Sequence, residues 1–439
     1  MFIYRLISFL GIFGIIGIAF LFSNNKRKVN WQTVFWGITL QIIFALLILK
    51  TRPGIVFFDY LRIAVNKLLS FTDIGASFLF GNLYNGTADI AKTIGQSGPL
   101  QLFNSQTGKF VDLGIVFAIH ILPTIIFFSA FMSILYHLGV MQRVVEYLAK
   151  IMTKFMKTSG AESLSAASNI FVGQTEAPLV VKPFVKTMTM SELMAVMTGG
   201  FATIAGGVLA AYVKFGVDAG HLMAASVMSA PAALVMAKIF FPETEKPLTM
   251  GVVKINTEKT TSNVIDAAAA GAKDGLGLAL NVGGMLIAFI AIIAMINYLL
   301  GLTDDILNLI TFYQFHFNFD LNLTKIFSII FTPFAFLMGT PFHDIPNVAT
   351  LLGTKVTINE LVAYVDLVSL KNTLSPRAFT IATYALCGFA NFSSIAIQIG
   401  GLSGIAPTRR SDLAKLGLRA MFAGALASWL TATIAGLLL

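Results

Sequence analysis

The sequence has little charge. Only 12% of its 439 residues are Asp, Glu, Lys or Arg, while 56% are hydrophobic. Soluble domains carry about 25% charged residues, so the long apolar runs here need lipid as their solvent. Thiols are nearly absent. Cys387 is the single cysteine, which excludes a disulfide within the chain and a thiolate metal cluster. The five histidines are scattered, without an HExxH spacing, and this argues against a metalloenzyme. No basic cluster is interleaved with aromatics, so the net charge of +9 does not read as a nucleic-acid footprint. The basic residues sit between apolar segments, where the positive-inside rule accounts for them.

Apolar segments near the ~20 residues that a bilayer requires run over about 3–22, 33–49, 113–136, 191–213, 221–240, 277–300 and 413–438. An eighth, about 378–402, is apolar but interrupted by polar residues. The first is long for a signal peptide and leads into Asn24-Asn25-Lys26-Arg27-Lys28 instead of a cleavage site, so it is expected to remain as a span. Two more segments, about 160–187 and 325–371, carry Gly, Pro and charge near their middles. They read as re-entrant hairpins, whose non-helical tips need protein or a water-filled cavity around them.

Charge orients the chain. Lys26, Arg27 and Lys28 place the N-terminus outside. The other dense clusters then fall on the inside: Arg143, Lys150, Lys154 and Lys157; Lys182 and Lys186; Lys238, Lys246, Lys254, Lys259 and Lys273; Arg409, Arg410, Lys415 and Arg419. Both termini are expected outside. Residues 141–157 are basic and amphipathic and read as a helix on the cytoplasmic interface. Residues 54–71 look like a similar surface helix on the outer side.

The polar run Gly173-Gln174-Thr175-Glu176 lies inside an apolar segment, where such residues are costly unless they face a partner or a ligand. Gly173 lets the backbone turn, and Pro178 suits the first turn of a following helix. The cluster fits a polar, uncharged ligand; a cap with packing residues is the alternative. Asn359-Glu360 is its counterpart in the second hairpin, with a salt bridge to Lys355 as the plain alternative. Phe389-Ala390-Asn391-Phe392-Ser393-Ser394 interrupts the eighth span; Phe389 offers a flat face, while Asn391 and Ser394 offer hydrogen bonds or simply hold helices together. Asn169, Thr203 and free carbonyls nearby supply hard oxygens for a small cation, though Asn and Thr are also common at a helix break. Gly200-Phe201-Ala202-Thr203 recurs as Gly388-Phe389-Ala390-Asn391, each behind an acidic hairpin residue. This hints at inverted repeats, a transporter signature.

On these residues the chain resembles the concentrative nucleoside transporters. Asn169 to Pro178 is similar to that family's Gly-Gln-Thr-Glu-Ala-Pro signature, and Asn263 to Ala272, Asn281 to Phe289, Asn359 to Tyr364 and Cys387 to Ala396 match in order. The resemblance covers about residue 110 to the C-terminus. It implies an all-α polytopic membrane protein, with about eight transmembrane helices and two re-entrant hairpins in inverted repeats, working as an elevator-type homotrimer. It also implies that Gln174, Thr175 and Glu176 contact the nucleobase and that Glu360, Asn391 and Ser394 hold the ribose. Phe389 and Leu286 would line the base pocket. The sodium site of the family maps onto Asn169, the Val172 carbonyl, Thr203 and the Ile204 carbonyl.

The expected organisation is 1–136 as scaffold helices with the outer surface helix, 137–159 as the cytoplasmic interfacial helix, and 160–240 as the first transport repeat. Residues 241–300 form a connector and scaffold helix, and 301–439 the second repeat. The expected function is cation-coupled, sodium-driven symport of nucleosides such as uridine across a bacterial inner membrane, without enzymatic activity or an organic cofactor. Proton coupling and a passive channel are the alternatives.

Overall fold

The computed structural model describes residues 2–84, 101–104, 108–112, 116–251, 261–310 and 321–439. Lys254, Lys259 and the first residues of the expected 113–136 span lie outside them. The helices are α1 (Phe2–Leu21), α2 (Trp31–Leu49), α3 (Arg52–Phe80), α4 (Leu122–His137), α5 (Val140–Met156), α6 (Gly160–Ser168), α7 (Met190–Ala202) and α8 (Gly206–Lys214). They continue as α9 (Ala219–Phe240), α10 (Val264–Ile310), α11 (Leu323–Leu337), α12 (Ile345–Thr357), α13 (Glu360–Ser369), α14 (Pro376–Leu386), α15 (Phe392–Ile405) and α16 (Arg410–Leu438). The fold is helical as expected, with one departure: Gln101–Asn104 pairs antiparallel with Lys109–Asp112 in a short two-stranded ribbon.

Eight helical stretches among the described residues are long and apolar enough to cross a membrane. The number matches the expectation, but one member differs. Arg52–Phe80 qualifies by length and composition, extending the expected 54–71 surface helix in both directions. The expected 378–402 span is not continuous: its two pieces, α14 and α15, are each too short to cross alone. Apolar side chains such as Phe9, Phe13, Phe35, Ile287 and Met295 remain exposed on α1, α2 and α10, as faces turned to lipid should.

α5 bears out its amphipathic pattern. Met141, Val145, Ala149, Met152 and Met156 are buried along one stripe, at the spacing of a helix face. Left-handed Gly139 and Lys157 bound it.

Two expected boundaries need correction. The apolar run from 325 is not one hairpin. α11 stops at Leu337, before Gly339 (φ +74°) and Pro341, and the hairpin proper is α12 and α13 over 345–369. The limit at residue 300 cuts through α10, a single helix of 47 residues. At ~1.5 Å per residue it is about 70 Å long, far more than the ~30 Å hydrocarbon core, so it tilts steeply or extends beyond it.

Two units then repeat the same order of elements. The first is the hairpin from α6 to a turn at Lys182–Val185, a broken helix (α7, break, α8) and the continuous α9. The second is the hairpin α12–α13, a broken helix (α14, break, α15) and the continuous α16. α9 and α16 pack against each other, and α7 packs on both. The repeated tetrapeptide falls at different places within the two units: Gly200–Ala202 closes the last turn of α7, whereas Gly388–Ala390 forms the second break. The two copies dock directly, with Phe389 N donating to the Thr203 carbonyl at 3.2 Å. Ser428 Oγ of α16 donates to the Cys387 carbonyl at 3.0 Å.

A buried polar knot pins the base of the first hairpin. Ser159 and Thr189 cap α6 and α7 with matched capping boxes through Glu162 and Glu192. Ser159 Oγ donates to Glu192 at 2.6 Å, joining the two caps. Lys238 of α9, expected in an inside loop, is buried in its helix instead and meets Glu162 at 2.7 Å.

Candidate functional site

The first hairpin tip is not left by a regular helix. α6 ends at Ser168, and the return begins as a 3-10 turn, Ala177–Val181, followed by one α-turn, Lys182–Val185. Pro178 and Pro183 each remove a backbone donor, which explains the short, tight return. The expected helix after Pro178 is therefore a 3-10 turn. Glu176 N and Ala177 N both donate to the Gly173 carbonyl, at 3.2 and 3.0 Å, closing the tip. The Glu176 carboxylate folds back over Gly173, where a Cβ would collide with its Oε2.

The second tip lies between α12 and α13. Asn359 caps α13 by accepting from Val362 N at 3.0 Å, and Glu360 follows as the first helical residue. Asn391 caps α15 in the same way, accepting from Ser394 N at 2.9 Å. Its amide Nδ2 donates to Glu360 Oε2 at 2.9 Å, while the Tyr212 hydroxyl donates to Oε1 at 3.1 Å. The expected alternative of an ion pair with Lys355 is not what holds Glu360: the Lys355 ammonium donates to the Ala385 carbonyl at 2.9 Å.

The two tips meet at one cavity of about 640 Å³, counting its open mouth. Gln174, Thr175, Glu176, Glu360, Phe389, Asn391 and Ser394 all line it, joined by Asn359 and Ser393. No Lys or Arg stands among these described lining residues. Glu176 is exposed, whereas Glu360 and Asn391 are buried. Leu286 is absent from the lining. α10 contributes Leu278, Val282 and Met285 instead, at spacings of a single helix face. Tyr212 and Gln398 also belong to this region, though neither stood out in the sequence. Gln398 Nε2 donates to the Met197 carbonyl at 2.9 Å, and a Cβ on Gly200 would collide with both Gln398 and Gln174. Polar side chains within apolar helices were the available signal for both.

Beside the cavity, the first hairpin tip and the first break carry oxygens with unused capacity. Asn169 Nδ2 donates to the Ser165 carbonyl at 2.9 Å, but its Oδ1 is buried without a partner. The Thr203 hydroxyl donates to the Gly199 carbonyl at 2.9 Å, leaving lone pairs free to accept. The carbonyls of Val172 and Ile204, outside any helix, take no backbone hydrogen bond among the described residues. An amide oxygen, a hydroxyl and two carbonyls are hard oxygens of the kind that suits a small cation at an unwound helix. His120 stacks on Tyr84 with ring centroids 5.2 Å apart.

Comparison with known proteins places this geometry. The family description "Na+ dependent nucleoside transporter C-terminus" matches residues 221–436, its N-terminal counterpart 10–83, and "Nucleoside recognition" (the Gate family) 118–219. The chain is 43% identical to solute carrier family 28 member 3 of Mus musculus over 99% of its own length, but spans only 59% of that protein. It is 41% identical to sodium/nucleoside cotransporter 1 of Rattus norvegicus, over 99% of the chain and 64% of the relative. The uncharacterized transporter YutK of Bacillus subtilis is 42% identical over 98% of both chains. The structure of CNTnw in an inward-facing substrate-bound state superposes with a TM-score of 0.85 at 40% identity, covering 99% of this chain and 97% of that one. The paired hairpins, the broken helices and a full-length match at this identity together show that the chain belongs to the concentrative, sodium-dependent nucleoside transporter family.

Proposed function

We propose that this chain carries nucleosides such as uridine into the cell, driven by sodium. The observation that carries the reading is the cavity where both hairpin tips converge, whose described lining offers amides, hydroxyls, carboxylates and one aromatic ring but no Lys or Arg. A nucleoside presents a planar base and a hydroxylated sugar, and it has no charge that would require a cationic partner. Gln174, Thr175 and Glu176 read the base, with Phe389 against its face. Glu360, Asn391 and Ser394 take the ribose hydroxyls. On the opposite wall Val282 and Met285 fill the place expected for Leu286.

Sodium is the second cargo, held by Asn169 Oδ1, the Thr203 hydroxyl and the carbonyls of Val172 and Ile204. Its seat joins the first hairpin tip to the first break, so its binding orders both walls of the base-reading side. The hairpins, broken helices, α9 and α16 travel as one body past α4 and α10, in the manner of an elevator. The working assembly is a homotrimer in a bacterial inner membrane, with both termini outside.

The test is uptake into proteoliposomes. Labelled uridine is expected to accumulate against its own gradient when sodium is imposed outside, and uridine monophosphate is expected to be rejected. Equilibration without accumulation would indicate a channel, accumulation driven equally by a proton gradient without sodium would remove the sodium assignment, and equal transport of the monophosphate would overturn the pocket reading.

A further inference from the structure

Glu360 belongs to the second repeat, yet one of its two oxygens is held by the first. Tyr212 sits on α8 beyond the first break, and its hydroxyl donates to Glu360 Oε1 at 3.1 Å. Asn391 Nδ2 takes the other oxygen at 2.9 Å. Tyr212 is fully buried, and its ring packs on Tyr364 with centroids 4.3 Å apart. Tyr364 is itself fixed, donating to the Thr383 carbonyl at 2.8 Å. The hydroxyl therefore has little freedom to swing away. Clamped from both sides, the carboxylate holds one orientation and keeps a remaining lone pair on each oxygen for a ligand.

α8 also begins at the cation end of the site. Gly206 N, its first residue, donates to the Phe171 carbonyl of the first hairpin tip at 3.1 Å. The Thr203–Ile204 break immediately precedes it. Tyr212 is six helical steps, about 9 Å, beyond Gly206, so a rigid element connects the break to the tyrosine. Tyr212 does not itself line the cavity.

We propose that Tyr212 is a positioning residue that sets the Glu360 carboxylate for the sugar hydroxyls and ties its orientation to the first hairpin tip and the break beside it. This rests on the reading of Glu360 as a ribose ligand. A single change, Tyr212→Phe, removes the hydroxyl and keeps the ring on Tyr364.

The experiment measures equilibrium binding to the purified, monodisperse full-length chain at saturating sodium. The probes are uridine and 2′,3′-dideoxyuridine, which lacks the hydroxyls Glu360 would accept. Tyr212→Phe is expected to weaken uridine about tenfold and the dideoxy analogue less than twofold. In the Glu360→Gln background the same change should add no further loss for uridine. Equal loss for both ligands would make Tyr212 a general packing residue and overturn the proposal, as would unchanged uridine affinity. Should Glu360→Gln weaken uridine while Tyr212→Phe does not, only the positioning role falls. Should Glu360→Gln leave uridine affinity intact, the ribose reading falls and takes this proposal with it.

Discussion

Glu176 and Glu360 carry the same carboxylate in opposite settings. Glu176 is exposed at the first tip and leans over Gly173, while Glu360 is buried with a donor on each oxygen. Hydrogen bonds to charged groups contribute about 1.5–3 kcal/mol, and each ~1.4 kcal/mol is tenfold in affinity. Glu176→Gln and Glu360→Gln are each expected to weaken uridine binding by tenfold or more, measured by equilibrium binding; full affinity in both would refute the two-tip site. At this scale much was readable in advance. Seven of the eight expected substrate residues border one cavity, because polar side chains in an apolar segment have few other uses. Leu286 was not readable. One step along α10 turns a side chain by about 100°, so it is Met285 that reaches the cavity, and sequence alone does not fix which face of an all-apolar helix turns inward.

The elements show where strain and buried charge are held. Gly388 has φ +151°, and a Cβ there would come within 2.7 Å of the Phe201 carbonyl and 2.8 Å of Ser428 Oγ. Gly388→Ala is therefore expected to push the second break away from α7, costing about 1–3 kcal/mol and lowering the melting temperature in detergent; an unchanged melt would contradict the tight contact. Lys238 and Glu162 form a buried pair whose rupture from one side costs about 3–5 kcal/mol. Lys238→Met alone should destabilise strongly, and adding Glu162→Leu should recover a large part, since the uncompensated carboxylate is then gone. Simply additive losses in thermal melts would show that the pair is not what holds the hairpin base. The first hairpin was legible because its Gly and Pro punctuate a short polar run. The second was drawn too long, since the apolar residues of α11 run on to the Gly339–Pro341 stop, and hydropathy does not separate a neighbouring helix from a hairpin arm.

In the whole molecule, the two repeats bury their breaks against each other. Phe389 N of the second break reaches the Thr203 carbonyl of the first, so a cavity-lining residue of one repeat hangs on the break of the other. The tetrapeptide repeat pointed to a duplication, though its copies occupy different turns of their helices. The apolar spans of α1 and α2 and the 277–300 stretch of α10 were visible in hydropathy; the full length of α10 and the docking of the repeats were not, the latter because it depends on contacts far apart in sequence. The central claim is that the cavity and the oxygens at the first break act together. Linkage requires that if sodium tightens nucleoside binding, the nucleoside tightens sodium binding by the same factor. The most direct measurement is the uridine dissociation constant of the purified chain, titrated across sodium concentrations in the wild type and in Asn169→Ala. Uridine affinity is expected to rise at least tenfold with sodium in the wild type, and the rise to be largely lost in the variant. Uridine binding that is tight without sodium, or a sodium response unchanged by Asn169→Ala, would contradict that claim.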